Sequence, residues 1–197
     1  MNKGVKMELI KTELDGAYII EPKLIGDNRG WFVESYNKKA LEELGITADF
    51  VQDNRSFSKK KGTLRGLHCQ KEPTPQIKLV SCVQGVIKDV IVDIRHGSPT
   101  YMKHIAVELS AQNNRMLFVP EGFLHGFVSL TDDVILNYKV SRYYSPEDDR
   151  SIKFDDPVFG IDWGSNDEHT LSQKDLNAPL YNDSDVYFEY KKETVKV

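Results

Sequence analysis

Between Val80 and Val140, short apolar and β-branched runs recur about every 8 to 12 residues, punctuated by Gly85, Gly97-Ser98-Pro99, Asn113-Asn114 and Thr131-Asp132-Asp133. That rhythm predicts an antiparallel β-sandwich or barrel. In the run from Ile87 to Ile94, strand alternation sends Lys88, Val90, Val92 and Ile94 to one face. Ile87, Asp89, Ile91 and Asp93 go to the other, and two acids on the same side as two isoleucines predict a face that borders a polar interior. One short helix is expected over Lys38 to Leu44, capped by Asn37, ended at Gly45 and packed outside the barrel. Beyond Tyr144 the chain turns polar, with Phe154, Phe159, Ile161 and Trp163 as isolated anchors able to wrap the sandwich. No repeat or linker interrupts residues 1–197, so one domain is expected.

Composition narrows the partners. With 197 residues, 40% of them hydrophobic, the chain can bury a sizeable core. A net charge of -4 offers no basic field for a nucleic acid backbone, so nucleic acid is not an expected partner. Cys69 and Cys82 are the only cysteines, which fits a reducing, cytoplasmic setting. The N-terminus has no signal-peptide core, and no run approaches the roughly 20 apolar residues of a membrane span.

Candidate chemistry is concentrated in Leu64-Arg65-Gly66-Leu67-His68-Cys69-Gln70 and in Lys78, within Ile77-Lys78-Leu79-Val80. An imidazole titrating near neutrality and two cations on adjacent strands suit proton abstraction from an anionic ketone. Lys78 points either into the barrel or out to solvent, and an inward lysine needs an anion to meet. Tyr138 is either a core aromatic or an acid. Gly62, His68 and Pro120-x-Gly122-x-x-His125 follow the spacing of the two cupin motifs, yet Gln70 stands where metal-binding cupins carry a second histidine. No carboxylate follows at Thr74 to Gln76, and two imidazoles alone make a weak metal site, so no metal is expected. Arg29 and Arg65 each lie beside a glycine, a setting suited to clamping phosphate as well as to ordinary ion pairs.

Several longer motifs carry a resemblance. Gly26-Asp27-Asn28-Arg29-Gly30-Trp31-Phe32-Val33-Glu34, Phe50 to Ser56, Leu64 to Gln70, Val119 to Phe127, Asn137 to Val140, Tyr143 to Pro146, Gly160 to Trp163 and Leu171 to Asp175 occur in order. From about Leu9 to Leu180 the chain resembles the dTDP-4-dehydrorhamnose 3,5-epimerase family. The resemblance implies an all-β, cupin-type jelly roll with a few short peripheral helices, without metal or other cofactor, usually a homodimer. Its substrate would be a nucleotide sugar, dTDP-4-dehydro-6-deoxy-D-glucose. By similarity His68 is the base, Tyr138 the acid, Asp175 the group that orients His68, and Lys78 the cation at the ketone oxygen. Arg29, Glu34, Gln52, Asp53, Asn54, Arg65, His125, Asp149 and Lys174 are the implied substrate contacts, with Tyr144 stacking on thymine.

Some positions depart from the family pattern. Cys69 replaces a frequent aromatic and is expected to point away from the site. Asp149 stands where a glutamate is usual, one methylene shorter in reach, and Lys88 interrupts a more apolar strand. Tyr181 to Val197 extend past the resemblance and receive no function from it. Three rival readings remain open at this point: an epimerase acting at carbon 3 only or on another ketosugar, a metal-dependent cupin enzyme, and a non-catalytic sugar-nucleotide binder.

Overall fold

The computed structural model describes residues 7–164 and 169–191. Two antiparallel sheets face one another. The first has the order β1 (Met7–Lys11), β2 (Tyr18–Pro22), β11 (Met116–Val119), β7 (Lys78–Gln84), β13 (Val134–Val140), β5 (Gln52–Ser58). The second runs β10 (His104–Ser110), β8 (Val86–Asp93), β12 (Phe123–Ser129), β6 (Leu64–Gln70), β14 (Asp149–Ser151). From β5 to β8, and again from β10 to β14, successive strands alternate between the sheets, which is the winding of a jelly roll. Hairpin β3 (Ile25–Asp27) and β4 (Gly30–Phe32) belongs to neither sheet.

The alternation read in β8 sets the layers. Ile87 and Ile91 face inward and pack with Val80, Cys82, Leu117 and Phe127 between the sheets. Val90, Val92 and Ile94 face outward, yet they are also buried, because Ile152, Phe159, Trp163, Tyr181 and Phe188 cover them. The C-terminal stretch therefore wraps the second sheet, and Trp163 is fixed by donating its indole N–H to the Phe154 carbonyl at 2.8 Å. Its end is tied by β15 (Phe188–Glu189), which pairs in parallel with β9 (Arg95–His96). Burying this apolar face contributes roughly 25 cal/mol per Å².

Helix α1 (Lys38–Glu43) forms where expected: Asn37 Oδ1 accepts from the Ala40 amide at 3.1 Å, and Gly45 ends the turn at φ +87°. Leu41 anchors it against Ile20, Leu79 and Phe118 on the outer face of the first sheet. Lys88, on the outer face of β8, donates to the Asp162 carbonyl at 2.5 Å, so that departure is a surface tether. Among the described residues no helix is long and apolar enough to cross a membrane.

Candidate active site

Strand β6 supplies the first half of the site through an irregularity. His125 of β12 pairs with His68 and Phe127 pairs with Arg65, so β6 spends three residues where β12 spends two. An extra residue of this kind re-aims the side chains around it. In a regular strand Arg65 and His68 would face opposite ways, whereas here both line one cavity, and Leu67 between them turns to the outer core. Gly66 makes the irregularity possible: its φ is +134°, and a Cβ there would lie 2.6 Å from the Cα of Gly126. Cys69 turns outward as expected, and burial pushes its thiol up to about 12.

His68 is held from outside the sheets. Helix α2 (Gln173–Leu176) is capped by Ser172, which accepts from the Asp175 amide at 3.1 Å and donates to Asp175 Oδ2 at 2.9 Å. That fixes Asp175 Oδ1 at 2.5 Å from His68 Nε2. Burial raises the Asp175 carboxyl, but the bond to His68, the imidazole charge and Ser172 outweigh it and hold the group below its usual value. Among the described residues Nδ1 of His68 has no partner.

Strands β7 and β13 of the opposite sheet supply the facing wall. Lys78 and Tyr138 both point inward and line the same cavity as His68, Arg65, His125 and Asp175, a space of about 430 Å³. The inward alternative for Lys78 is therefore the one realised, at 9% exposure. Burial lowers its pKa, opposed by the fields of Cys69, Asp149 and Asp89. Burial raises that of Tyr138, partly offset by Arg65. The imidazole and the phenol thus stand on opposite walls with an ammonium at hand.

A second chamber of about 430 Å³ shares His68, Lys78, Tyr138 and Lys174 with the first and adds Gln52, Asn54, Gln70, Tyr144 and Asp149. Tyr144 is 56% exposed, a ring available for stacking, and its hydroxyl donates to Asp149 Oδ2 at 3.0 Å. Lys174 donates to the same oxygen at 2.5 Å. The shorter acid therefore sets the positions of two neighbours.

Three of the residues implied by the resemblance are not brought here. Asp53 faces the other way from Gln52 and Asn54, outside the first sheet, where Lys139 binds it at 2.8 Å. Arg29 lies on the β3–β4 hairpin, paired with Asp27 at 2.6 Å, and Glu34 accepts from Asn37 at 3.4 Å. Neither lines the chambers. Sequence reasoning missed Asp89 as a partner: both its oxygens lie 3.0 Å from His125 Nε2, and the inward alternation of β8 already aimed it there. Both histidines thus spend Nε2 on a carboxylate, and among the described residues no group of three or more His, Cys, Asp or Glu is placed to hold a metal ion.

The profile of the dTDP-4-dehydrorhamnose 3,5-epimerase family matches residues 11–183. The chain belongs to that family. Its relative in Shigella flexneri, dTDP-4-dehydrorhamnose 3,5-epimerase, is 48% identical over 182 residues, 92% of this chain and 99% of the relative. The crystal structure of the Legionella pneumophila dTDP-6-deoxy-D-glucose-3,5-epimerase, in complex with dTDP-4-keto-L-rhamnose, superposes with a TM-score of 0.89 at 46% identity, covering 94% of this chain and 99% of that one. A 3'-monoepimerase from Streptomyces bikiniensis in complex with dTDP-quinovose shares the fold at TM-score 0.81 and 35% identity, over 87% of this chain and 86% of that one.

Proposed function

We propose that this protein inverts carbons 3 and 5 of dTDP-4-dehydro-6-deoxy-D-glucose, giving dTDP-4-dehydro-L-rhamnose. The observation that carries the reading is the placement of His68 and Tyr138 on opposite walls of one cavity beside Lys78. Both hydrogens to be removed lie α to the carbon-4 ketone, so either abstraction puts negative charge on the same oxygen. His68 takes the proton, the electron pair moves into an enolate, and Lys78 stabilises the oxygen; a preorganised charge of this kind is worth about 3 to 4 kcal/mol. Tyr138 then delivers a proton to the opposite ring face, and Asp175 holds the imidazolium that has formed.

The deeper chamber, with Arg65 and His125, suits the sugar. The outer one, with Gln52, Asn54, Tyr144, Asp149 and Lys174, suits the diphosphate and thymine. Higher identity to the double epimerases than to the monoepimerase favours inversion at both carbons. The test is exchange in heavy water with the dTDP ketosugar, followed by NMR. Deuterium is expected at carbons 3 and 5; label at carbon 3 alone would overturn the double inversion.

A homodimer completes the assignment. The β3–β4 hairpin stands clear of both sheets with Trp31 57% and Phe32 61% exposed, and β5 is an open sheet edge. Seating that hairpin on a second copy would carry Arg29 and Glu34 toward the neighbouring cavity. Mixed Arg29→Ala and His68→Ala protomers should then recover part of the activity that each homodimer lacks. A reducing cytoplasm suits the thiols of Cys69 and Cys82.

A further inference from the structure

Gln70 stands at the position where a metal-binding cupin would carry its second histidine, and the chemistry proposed above gives it nothing to do. Its side chain is 4% exposed at the floor of the outer chamber. Both its amide nitrogen and its oxygen are nevertheless bonded within the protein. Nε2 donates to the Thr74 carbonyl at 2.7 Å and to the Tyr143 carbonyl at 3.3 Å, with Thr74 Oγ1 also at 3.3 Å. Oε1 accepts the backbone N–H of Ser145 at 2.9 Å. One planar group therefore ties the loop after β6 to the residues on both sides of Tyr144.

We infer that Gln70 is a positioning residue for the Tyr144 ring, fixing the platform on which the nucleobase stacks. Between the Tyr143 and Ser145 anchors stands Tyr144 itself, whose own N–H donates to Gln52 Oε1 at 3.1 Å, so its backbone is held at three successive residues while its ring stays 56% exposed. Thr74 is fixed in turn, because its hydroxyl donates to Asp148 Oδ2 at 2.7 Å, the oxygen that also accepts from Ser145 Oγ at 2.8 Å. The buried amide converts a surface loop into a rigid ledge. A preorganised ledge binds more tightly because less ordering remains to be done when the ligand arrives. With its N–H groups spent on two carbonyls and Thr74 and its oxygen holding Ser145, Gln70 acts on the ligand through Tyr144.

This inference rests on the proposed dTDP-sugar site, and its test separates the two. Affinity for dTDP alone is measured by calorimetry for wild type, Gln70→Met, Tyr144→Ala and the double variant, alongside steady-state turnover of the ketosugar. Loss of these hydrogen bonds should weaken dTDP binding and raise KM about tenfold, with kcat changed less than about threefold. In the Tyr144→Ala background the same substitution should change dTDP affinity less than about twofold, because the platform is already gone. Equal losses in both backgrounds, or a fall in kcat at unchanged KM, would overturn the inference while leaving the site intact. A wild-type protein that neither binds dTDP nor turns over the ketosugar would remove the site and the inference together. Should Gln70→Met fail to fold, Gln70→Glu serves in its place: it keeps the acceptor for Ser145 but turns a carboxylate on two carbonyls, and the same pattern is expected of it.

Discussion

Two imidazole–carboxylate pairs lie next to one another on β6 and β12, and they differ in where the carboxylate comes from. Asp89 reaches His125 from the adjacent strand of the same sheet, with the acid wholly buried and His125 7% exposed. Asp175 reaches His68 from α2, 107 residues along the chain and outside both sheets, and the His68 side chain keeps 31% of its surface open. One pair is built into the wall; the other is assembled over the cavity by the wrapping segment. The two carboxylates are alike in burial, and what differs is the openness of the imidazole each one holds; the proposed function gives the more open one the chemistry.

The largest expected effect tests that division directly. His68→Ala should lower kcat by about 100- to 10,000-fold, as should Tyr138→Phe, while His125→Ala should cost about tenfold or less in kcat. Comparable losses at the two histidines would break the comparison. The carboxylates should split the other way. Asp175→Asn is expected to reduce kcat by roughly 10- to 100-fold and to destabilise by only about 1 kcal/mol, since the amide oxygen still accepts from Ser172. Asp89→Asn should destabilise by about 2 to 4 kcal/mol, because the bonded carboxylate is fully buried.

Lys78 sharpens the picture from the opposite wall. Under the proposed function an ammonium held there against desolvation serves catalysis at the expense of stability, so Lys78→Met should abolish turnover yet raise stability by about 1 to 3 kcal/mol in denaturant titrations. The smallest effect is its pH signature. Burial sets the folded pKa of Lys78 below the ordinary lysine value of 10.5, so the cation is lost as pH rises through that lowered value. kcat/KM should therefore decline on the alkaline side before the ordinary lysine range. Between the folded and unfolded pKa values the unfolded chain holds the extra proton, so stability should rise with pH across that window, and Lys78→Met should flatten the rise.

What could be read from the chain follows the physics of each element. The β8 alternation is legible because period two is local, and it puts Asp89 and Asp93 on the inward face without reference to any tertiary contact. The orientation of Lys78 is not legible, because its end of β7 is covered on both faces: Val80 and Cys82 pack inward, while Leu79 meets the cluster around α1. Apolar neighbours on both sides erase the pattern. Asp53 could have been corrected by the alternation that puts Gln52 and Asn54 on one face. Arg65 sharing a face with His68 could not, because strict alternation forbids it and only the extra residue in β6 permits it. Arg29 and Glu34 lie beyond any local rule, on and just after a hairpin that joins neither sheet.

The contact between Gly66 and Gly126 carries a consequence for how such a site can change over generations. A Cβ on Gly66 would meet the Gly126 backbone at 2.6 Å, and one on Gly126 would meet the Arg65 carbonyl at 2.9 Å. The smallest heritable step, a single methyl, is already too large, so the gap between the two histidine-bearing strands offers no graded path for adjustment. Any reshaping of the cavity falls instead to the side chains that line it from the other strands, such as Ser56 and Leu136.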